Sequence, residues 1–409
     1  MSRFGRLHIL FLTNLPSPYK VDFYNEMLRY ADVTVFYEKN RMPSRDEKWV
    51  ADTSMKYEAI FGNGISTGDE SAFAPSVLKE VRKDKYDIVV ISYYSSLTEM
   101  LAANYLKRHH IPYAFHTDGG IIKQDSKLQY YLKHKYIGGA TMWLSTGESV
   151  TDYLVHYGAN KDKCYIYPFT SVKEEDVLKE PVSKEEKTEL REKLGIKEDK
   201  VIISVGQFIY RKGYDILLKA IMNKALNAEE PMTSKTNTTG VVVTENKPNI
   251  KDIGIYLIGG DPTQEYNEIL KDYSYDNIHF IPFMSKSDLS EYYKAADLFV
   301  LPTREDIWGL VINEAMSFGL PVITTDKCVA GVEMIDGNGK VVPIETDWAE
   351  EIADFFSIKE LNDGSNSIAR TSRTEMSRKS LEIAKDYTIE KMALSQYQYL
   401  EQFYDENHA

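Results

Sequence analysis

The stretch Thr303-Arg-Glu-Asp-Ile-Trp-Gly-Leu-Val-Ile-Asn-Glu-Ala-Met-Ser-Phe-Gly-Leu-Pro-Val322 decides how this chain folds. Ahead of it runs Asp297 to Pro302, whose apolar residues are continuous rather than alternating. That is the pattern of a strand covered on both faces of a parallel sheet. Behind it, Pro321 to Thr325 reads as the next strand. Leu310, Val311, Ala315, Met316 and Phe318 recur at helical spacing, which predicts a helix over Gly309 to Phe318. Gly319 stops that helix and Pro321 blocks its continuation. Such a strand–loop–helix unit aims its loop at the carboxyl edge of the sheet, where open α/β sheets take ligands. The N–H groups of Gly309, Leu310 and Val311 then suit a phosphate. Asp306 on the loop and Glu314 a turn into the helix flank this point. Two carboxylates repel a phosphate unless they face neutral hydroxyls beside it. A nucleotide-sugar carries such hydroxyls on its ribose and its hexose.

Seven residues separate Asp306 from Glu314. With Ala315-Met316, Gly319 and Pro321-Val322, this spacing resembles the E-x7-E motif of the retaining family 4 glycosyltransferases. Asp306 stands where that family usually has Glu, and the adjacent Glu305 can supply the acid out of register. The resemblance implies that Asp306 contacts the transferred sugar and Glu314 the ribose. A second match is Val205-Gly-Gln-Phe-Ile-Tyr-Arg-Lys-Gly-Tyr-Asp215, similar to the family's V-G-R, short gap, K-G. Lys212 aligns with the lysine that grips the diphosphate. Gln207 stands where the family has Arg, and Arg211 is placed to compensate. Two cations opposite a helix N-terminus would neutralise a leaving diphosphate without a metal. No D-x-D pair occurs in the sequence, so no metal or other cofactor is expected beyond the nucleotide-sugar donor, with UDP the expected nucleotide. The resemblance also places the Gly259-Gly-Asp261 turn near the nucleotide and the base near Phe283 and Met284.

Bulk properties narrow the remaining classes. A length of 409 residues exceeds one domain. A net charge of −13 argues against a nucleic-acid partner, which needs a basic face. Two cysteines, Cys164 and Cys328, make neither a disulfide framework nor a metal cluster. Leu7 to Leu12 is too short for a secretion signal, and no apolar run reaches the length of a membrane span. The expected location is the cytoplasm, either free or peripheral on the inner face of the plasma membrane.

The N-terminal half alternates strands and helices. Leu7 to Thr13, a stiff Asn14-Leu-Pro-Ser-Pro-Tyr19 loop, a helix over Val21 to Tyr30 and a strand over Asp32 to Tyr37 open a doubly wound sheet. No G-x-G-x-x-G follows the first strand, which speaks against a nicotinamide oxidoreductase. Leu15 to Glu26 resembles the loop near the acceptor in polysaccharide-pathway members of the family; a rigid βα turn is the alternative. Pro75 to Lys83 and Glu99 to His109 read as helices, and Ile88 to Ser92 and Pro112 to His116 as strands. His116-Thr-Asp118-Gly-Gly120 follows at a strand's carboxyl end, either a polar cluster for the sugar or acceptor or a structural histidine. Lys123 to Ile137 mixes Lys123, Lys127, Lys133 and Lys135 with tyrosines. It reads either as contact with an anionic membrane or lipid-diphosphate acceptor, or as a solvated helix face. Ser171 to Lys200 reads as a linker with a polar helix over Lys184 to Leu194, and 226–252 as an insertion.

The two similar α/β halves together resemble the GT-B architecture of that family, two Rossmann-like doubly wound domains facing a cleft. The resemblance implies that residues 1–170 are the acceptor-binding domain, 171–385 the nucleotide-sugar domain, and 386–409 a helix returning to the first. The implied activity is hexosyl transfer from a UDP-sugar to a glycan or lipid-linked acceptor in cell-surface polysaccharide synthesis. A same-fold nucleotide-sugar epimerase or hydrolase, and a non-catalytic nucleotide-sugar binder, are the alternatives.

Overall fold

A computed structural model of the chain describes residues 5–39, 54–62, 64–68, 71–82, 85–227, 248–274, 276–358 and 372–408. The chain divides into two compact units, Met1–Glu174 with Asp386–Ala409, and Glu175–Lys385.

The first unit is built on β1 (His8–Thr13), β2 (Asp32–Tyr37) and β3 (Glu58–Phe61), followed by a short antiparallel ribbon of β4 (Ile65–Ser66) and β5 (Ala72–Phe73). Then come β6 (Ile88–Ile91), β7 (Ala114–His116), β8 (Met142–Ser145) and β9 (Cys164–Ile166). The main sheet runs in the order β3-β2-β1-β6-β7-β8-β9, with every neighbouring pair parallel. Helices α1 (Pro18–Met27), α2 (Leu97–Arg108), α3 (Lys127–Tyr136) and α4 (Glu148–His156) connect the strands. The central strands β6, β7 and β8 are buried end to end and β1 and β2 from their second residue, as a sheet covered on both faces requires, while the edge strands β3 and β9 are only partly covered. The segment expected as a helix over Pro75 to Lys83 forms a five-residue 3-10 turn, Pro75–Lys79, instead. Proline fixes its first turn, but the run offers too few apolar residues at helical spacing to extend it.

The second unit begins with α5 (Lys184–Leu194) and β10 (Lys200–Val205). It continues through α6 (Tyr214–Asn227), β11 (Ile253–Ile258), α7 (Gln264–Ile269), β12 (Ile278–Ile281), α8 (Lys286–Ala295) and β13 (Leu298–Leu301). After α9 (Leu310–Ser317) come β14 (Val322–Thr325), α10 (Val329–Met334), β15 (Gly339–Val342), α11 (Trp348–Ser357) and α12 (Arg373–Ala384). Its all-parallel sheet runs β12-β11-β10-β13-β14-β15. Most of the insertion expected at 226–252, positions 228–247, lies outside the described residues.

In both sheets the strand order reverses once, at β1/β6 and at β10/β13. These are the switch points, where diverging connections leave a crevice at the strands' carboxyl ends. The last helix, α13 (Ile389–His408), belongs to the first unit and packs on α1. Tyr397 stacks on Tyr30 with ring centroids 5.5 Å apart, and Tyr399 donates to the Ile166 carbonyl at 3.0 Å.

The polar segment before β10 is more than a linker. None of the side chains of α5 is fully buried, so an apolar stripe does not hold it. Charge does: Lys187 and Arg191 reach Asp297 at 3.0 and 2.8 Å, and both donate to carbonyls at the end of α8. Burial alone would raise the Asp297 carboxyl, but Lys187 and Arg191 hold it below the usual carboxylate range. Its contribution to stability is therefore present above the unfolded carboxylate pKa of about 4 and lost as pH falls through the lower folded value. Asp297→Ala should destabilise the second unit by about 2–3 kcal/mol, measured by chemical denaturation at pH 7. The difference from wild type should shrink toward pH 3.

Candidate active site

The second unit's switch point is assembled from two loops. One follows β10 and carries Gln207 to Gly213; the other follows β13 and carries Thr303 to Gly309. They approach closely because glycine lets them. A Cβ on Gly213, which has φ +71°, would lie 1.9 Å from the Pro302 carbonyl oxygen. Next door, a Cβ on Gly259 would lie 2.0 Å from the Gly206 carbonyl oxygen.

Once adjacent, the loops are bolted together by charge. Lys212 donates to Asp306 Oδ2 at 2.6 Å, and both residues are buried. Arg211 lies 3.3 Å from Asp306 Oδ1 and donates to the Glu305 carbonyl at 2.8 Å. The Arg304 N–H and the Thr303 hydroxyl both donate to the Arg211 carbonyl, at 2.8 and 2.9 Å. Arg304 grips Asp215 with two bonds of 2.7 Å and lies over the Tyr210 ring. Burial would raise the Asp215 carboxyl, but this guanidinium fork holds it below its ordinary value.

A third segment clamps the acid loop from behind. The Asp306 N–H donates to the Lys327 carbonyl, and the Asp306 carbonyl accepts from Val329. The Cys328 thiol donates to the Trp308 carbonyl at 3.2 Å. Burial pushes that thiol up to about 12, so it stays protonated. Gly309 caps α9 at φ +104°, and a Cβ there would meet Cys328 Sγ at 2.7 Å. The backbone can therefore turn into α9 with the N–H groups of Leu310 and Val311 leading, and these lack intrahelical acceptors. Glu314, half-buried one turn on, accepts from the Tyr293 hydroxyl at 3.3 Å.

Lys212, Arg211, Glu305, Asp306, Gly309, Leu310, Val311 and Glu314 thus belong to the β10 and β13 loops and the first turns of α9. Gln207 is exposed at the start of the β10 loop, and Phe283 is exposed after β12, two strands away in the sheet. Sequence reasoning gave no place in the site to Arg304, Asp215, Trp308 or Cys328. Trp308, buried, donates to Asn313 at 2.8 Å and so ties the loop to the helix it precedes. An acid three residues after Lys212 and a base two before Asp306 were the available signals for the Arg304–Asp215 pair.

His116 and Asp118 lie in the first unit, at the carboxyl end of β7. Tyr19 donates to Asp118 Oδ2 at 2.7 Å, while Asp118 Oδ1 is buried without a hydrogen-bond partner, 3.9 Å from His116 Nε2. The Tyr167 hydroxyl donates to the Thr117 carbonyl at 2.9 Å, leaving the His116 Nε2–H to donate to Tyr167 at 2.6 Å. Burial drops the His116 pKa to about 4, with Asp118 pulling the other way. At the β1/β6 switch point, Lys20 donates to Thr13, Asn14 and Tyr93 at 3.0, 2.9 and 2.7 Å. Among the described residues no group of three His, Cys, Asp or Glu side chains is arranged to hold a metal ion.

The chain resembles known proteins in sequence and in fold. Residues 186–371 match the family model of glycosyl transferases group 1. Over 223 residues the chain is 27% identical to lipopolysaccharide glucosyltransferase WaaG of Escherichia coli K12, covering 54% of this chain and 51% of that one. The chain spans about half the length of the curated relatives it matches. Among solved structures, Anabaena Alr3699/HepE in complex with UDP superposes with a TM-score of 0.68 at 16% identity, covering 97% of this chain and 100% of that one. Sucrose-phosphate synthase from Thermosynechococcus elongatus does so with 0.66 at 16% identity, covering 98% and 100%. The fold is the two-domain parallel α/β arrangement of the GT-B proteins.

Two outcomes follow for the site. Lys212→Met and Asp306→Asn should each lower the thermal midpoint, and the double variant should lose about 1–3 kcal/mol less than the sum; additivity would mean the pair is not coupled. NMR should show His116 neutral from pH 5 upward. Because its folded pKa lies below the unfolded 6.5 or so, the stability it lends should be full above that value and fall as pH drops toward 4.

Proposed function

We propose that this chain is a glycosyltransferase that moves a sugar from a nucleotide-sugar to a glycan or lipid-linked acceptor, with retention of anomeric configuration and without a metal ion. The reading starts from the group 1 match over residues 186–371. The observation that carries it is the Arg211–Lys212–Asp306 cluster at the β10/β13 switch point beside the α9 N-terminus. Two cations and one carboxylate leave a local excess of positive charge, and the helix end adds about half a charge. That combination suits a diphosphate. UDP is the nucleotide favoured, since the solved neighbour holds UDP at the TM-score quoted above.

In this reading Lys212 keeps one N–H on Asp306 and turns the others to the diphosphate. Arg211 and the leading N–H groups of α9 complete the cradle. Asp306 and Glu305 orient the sugar, and Glu314 meets the ribose. As the bond from the anomeric carbon to the phosphate oxygen lengthens, negative charge grows on the diphosphate, and the fixed cations stabilise it. The acceptor hydroxyl attacks on the face from which the diphosphate leaves, and the departing phosphate oxygen takes its proton. No side chain need act as nucleophile. At the carboxyl edge of the first unit, Asp118 offers an acceptor oxygen for a sugar hydroxyl, and neutral His116 positions the strand end that carries it.

Thermal-shift measurements over a panel of nucleotide-sugars test this. UDP-sugars should raise the melting temperature, and EDTA should leave the shift intact. Lys212→Ala and Glu314→Ala should each remove most of it; retention of the full shift in both overturns the site. Products formed with an acceptor should keep the donor's anomeric configuration by NMR. Free sugar or an isomer would identify a hydrolase or epimerase instead, and binding without turnover a nucleotide-sugar binder.

A further inference from the structure

The turn that carries Arg211 and Lys212 is fastened by one residue of the neighbouring loop, Arg304. Tyr210–Lys212 forms a single 3-10 turn between β10 and α6, and Gly213 ends it at φ +71°. So short a turn is held less by its own geometry than by the bonds made to it. The Tyr210 carbonyl accepts from Arg304 Nη1 at 2.7 Å and from the Gly213 N–H at 3.2 Å. The next carbonyl, that of Arg211, accepts from the Arg304 N–H at 2.8 Å and from the Thr303 hydroxyl at 2.9 Å. Arg304 thus holds two consecutive carbonyls, one with its side chain and one with its backbone. Fixing both peptide planes sets the directions in which Arg211 and Lys212 leave the chain.

Arg304 is held in turn. Its guanidinium makes two bonds of 2.7 Å to Asp215, in the first turn of α6, and lies 3.9 Å from the centroid of the Tyr210 ring. The Asp215 side chain is 5% exposed and that of Arg304 21%, so the pair is largely out of water. Asp215 cancels the Arg304 charge, which leaves this arginine little field of its own. Nη1 is shared between a carboxylate oxygen and the Tyr210 carbonyl, while Nη2 takes the other carboxylate oxygen. A planar fork spans three acceptors in this way, and the compact ammonium of a lysine does not match that spacing.

We propose that Arg304 is a positioning residue for the nucleotide diphosphate: through the Tyr210 and Arg211 carbonyls it fixes the turn that aims Arg211 and Lys212 at the phosphates, and it does so without lending its own charge. This role rests on the diphosphate reading given above. A side chain that lent charge would be replaceable by another cation. One that merely held the second unit together would affect every part of the ligand alike. Arg304 differs from both, because its bonds end on the carbonyls of the turn itself. Their loss displaces the two cations and spares the nucleoside, which is expected against the loops after β11 and β12.

Calorimetric titration of the full chain with UDP, alongside saturation-transfer NMR with uridine, tests this. Arg304→Lys keeps the charge and loses the fork. It should weaken UDP binding about tenfold, the worth of a hydrogen bond to a charged group, and leave uridine binding unchanged. Asp215→Asn should do the same. Salt separates position from charge, since screening weakens the contacts that the cations themselves make. Lys212→Ala should therefore flatten the fall of UDP affinity with added salt, whereas Arg304→Lys should keep the wild-type slope. Tyr210→Leu removes a ring that is 74% exposed, so the chain keeps its fold. Uncovering the guanidinium in this way should weaken UDP binding several-fold and spare uridine. If Arg304→Lys and Asp215→Asn do not fold, Tyr210→Leu carries the test, and unchanged UDP binding there overturns the proposal. Wild-type UDP affinity in folded Arg304→Lys overturns it too, as does uridine binding lost in step with UDP, or a flattened salt slope. A wild-type chain that binds no UDP overturns the donor-site reading and this role with it. UDP binding that Lys212→Ala abolishes and Arg304→Lys leaves intact overturns this role alone.

Discussion

A buried ion pair, Lys212 with Asp306 at 2.6 Å, is the constraint on which the second unit's site depends. Burying either charge alone would cost several kcal/mol, so each requires the other. Their strands, β10 and β13, are neighbours in the sheet but far apart in sequence, and the pair can form only at the switch point. The surrounding bonds, from Arg211 to the Glu305 carbonyl and from Arg304 to Asp215, make sense as the supports that keep the pair in register. The same pair answers an electrostatic difficulty. A carboxylate by itself would repel the diphosphate proposed for this site. Asp306 bound to one lysine and beside one arginine leaves an excess of one positive charge, by the count two minus one.

The first unit repeats the topology with different chemistry. Its switch point also buries a lysine, Lys20, but the bonds described there run to the neutral oxygens of Thr13, Asn14 and Tyr93. Nearby, burial raises the Glu99 carboxyl well above its ordinary value, with Glu38 adding to it, while the N–H groups of Ser92 and Tyr93 bond to it at 2.7 and 2.6 Å. Tyrosines 19, 93 and 167 dominate the strand ends. Hydroxyl and amide oxygens of this sort suit the hydroxyls of a neutral sugar better than a diphosphate. In the proposed reading two sheets of one topology serve two ligands, because the loops and not the strands carry the chemistry.

Much of this was legible in the residues. Continuous apolar runs marked the buried parallel strands, and Gly309, Gly319 and Pro321 marked the ends of the helix that carries Glu314. The polar helix Lys184–Leu194 was legible too, but its docking was not. An amphipathic stripe announces burial, whereas a helix held by Lys187 and Arg191 on Asp297 looks like any solvated one. The run of lysines in α3 hid a similar distinction. Spacing alone could not reveal that Lys133 turns inward to Asp125 while Lys123 and Lys127 border an open hollow.

By itself the amino-acid order determined the alternation of strands and helices, the glycines where two backbones nearly touch, and the residue types gathered behind the strand ends. Those depend on local periodicity and local sterics, which a linear pattern records. Tertiary structure alone decided which charges meet: that Lys212 binds Asp306, that Arg304 binds Asp215, and that His116 is neutral against Tyr167. Such pairings join residues about fifty to a hundred positions apart. Their energy exists only once the sheet has brought the loops together and removed the water between them.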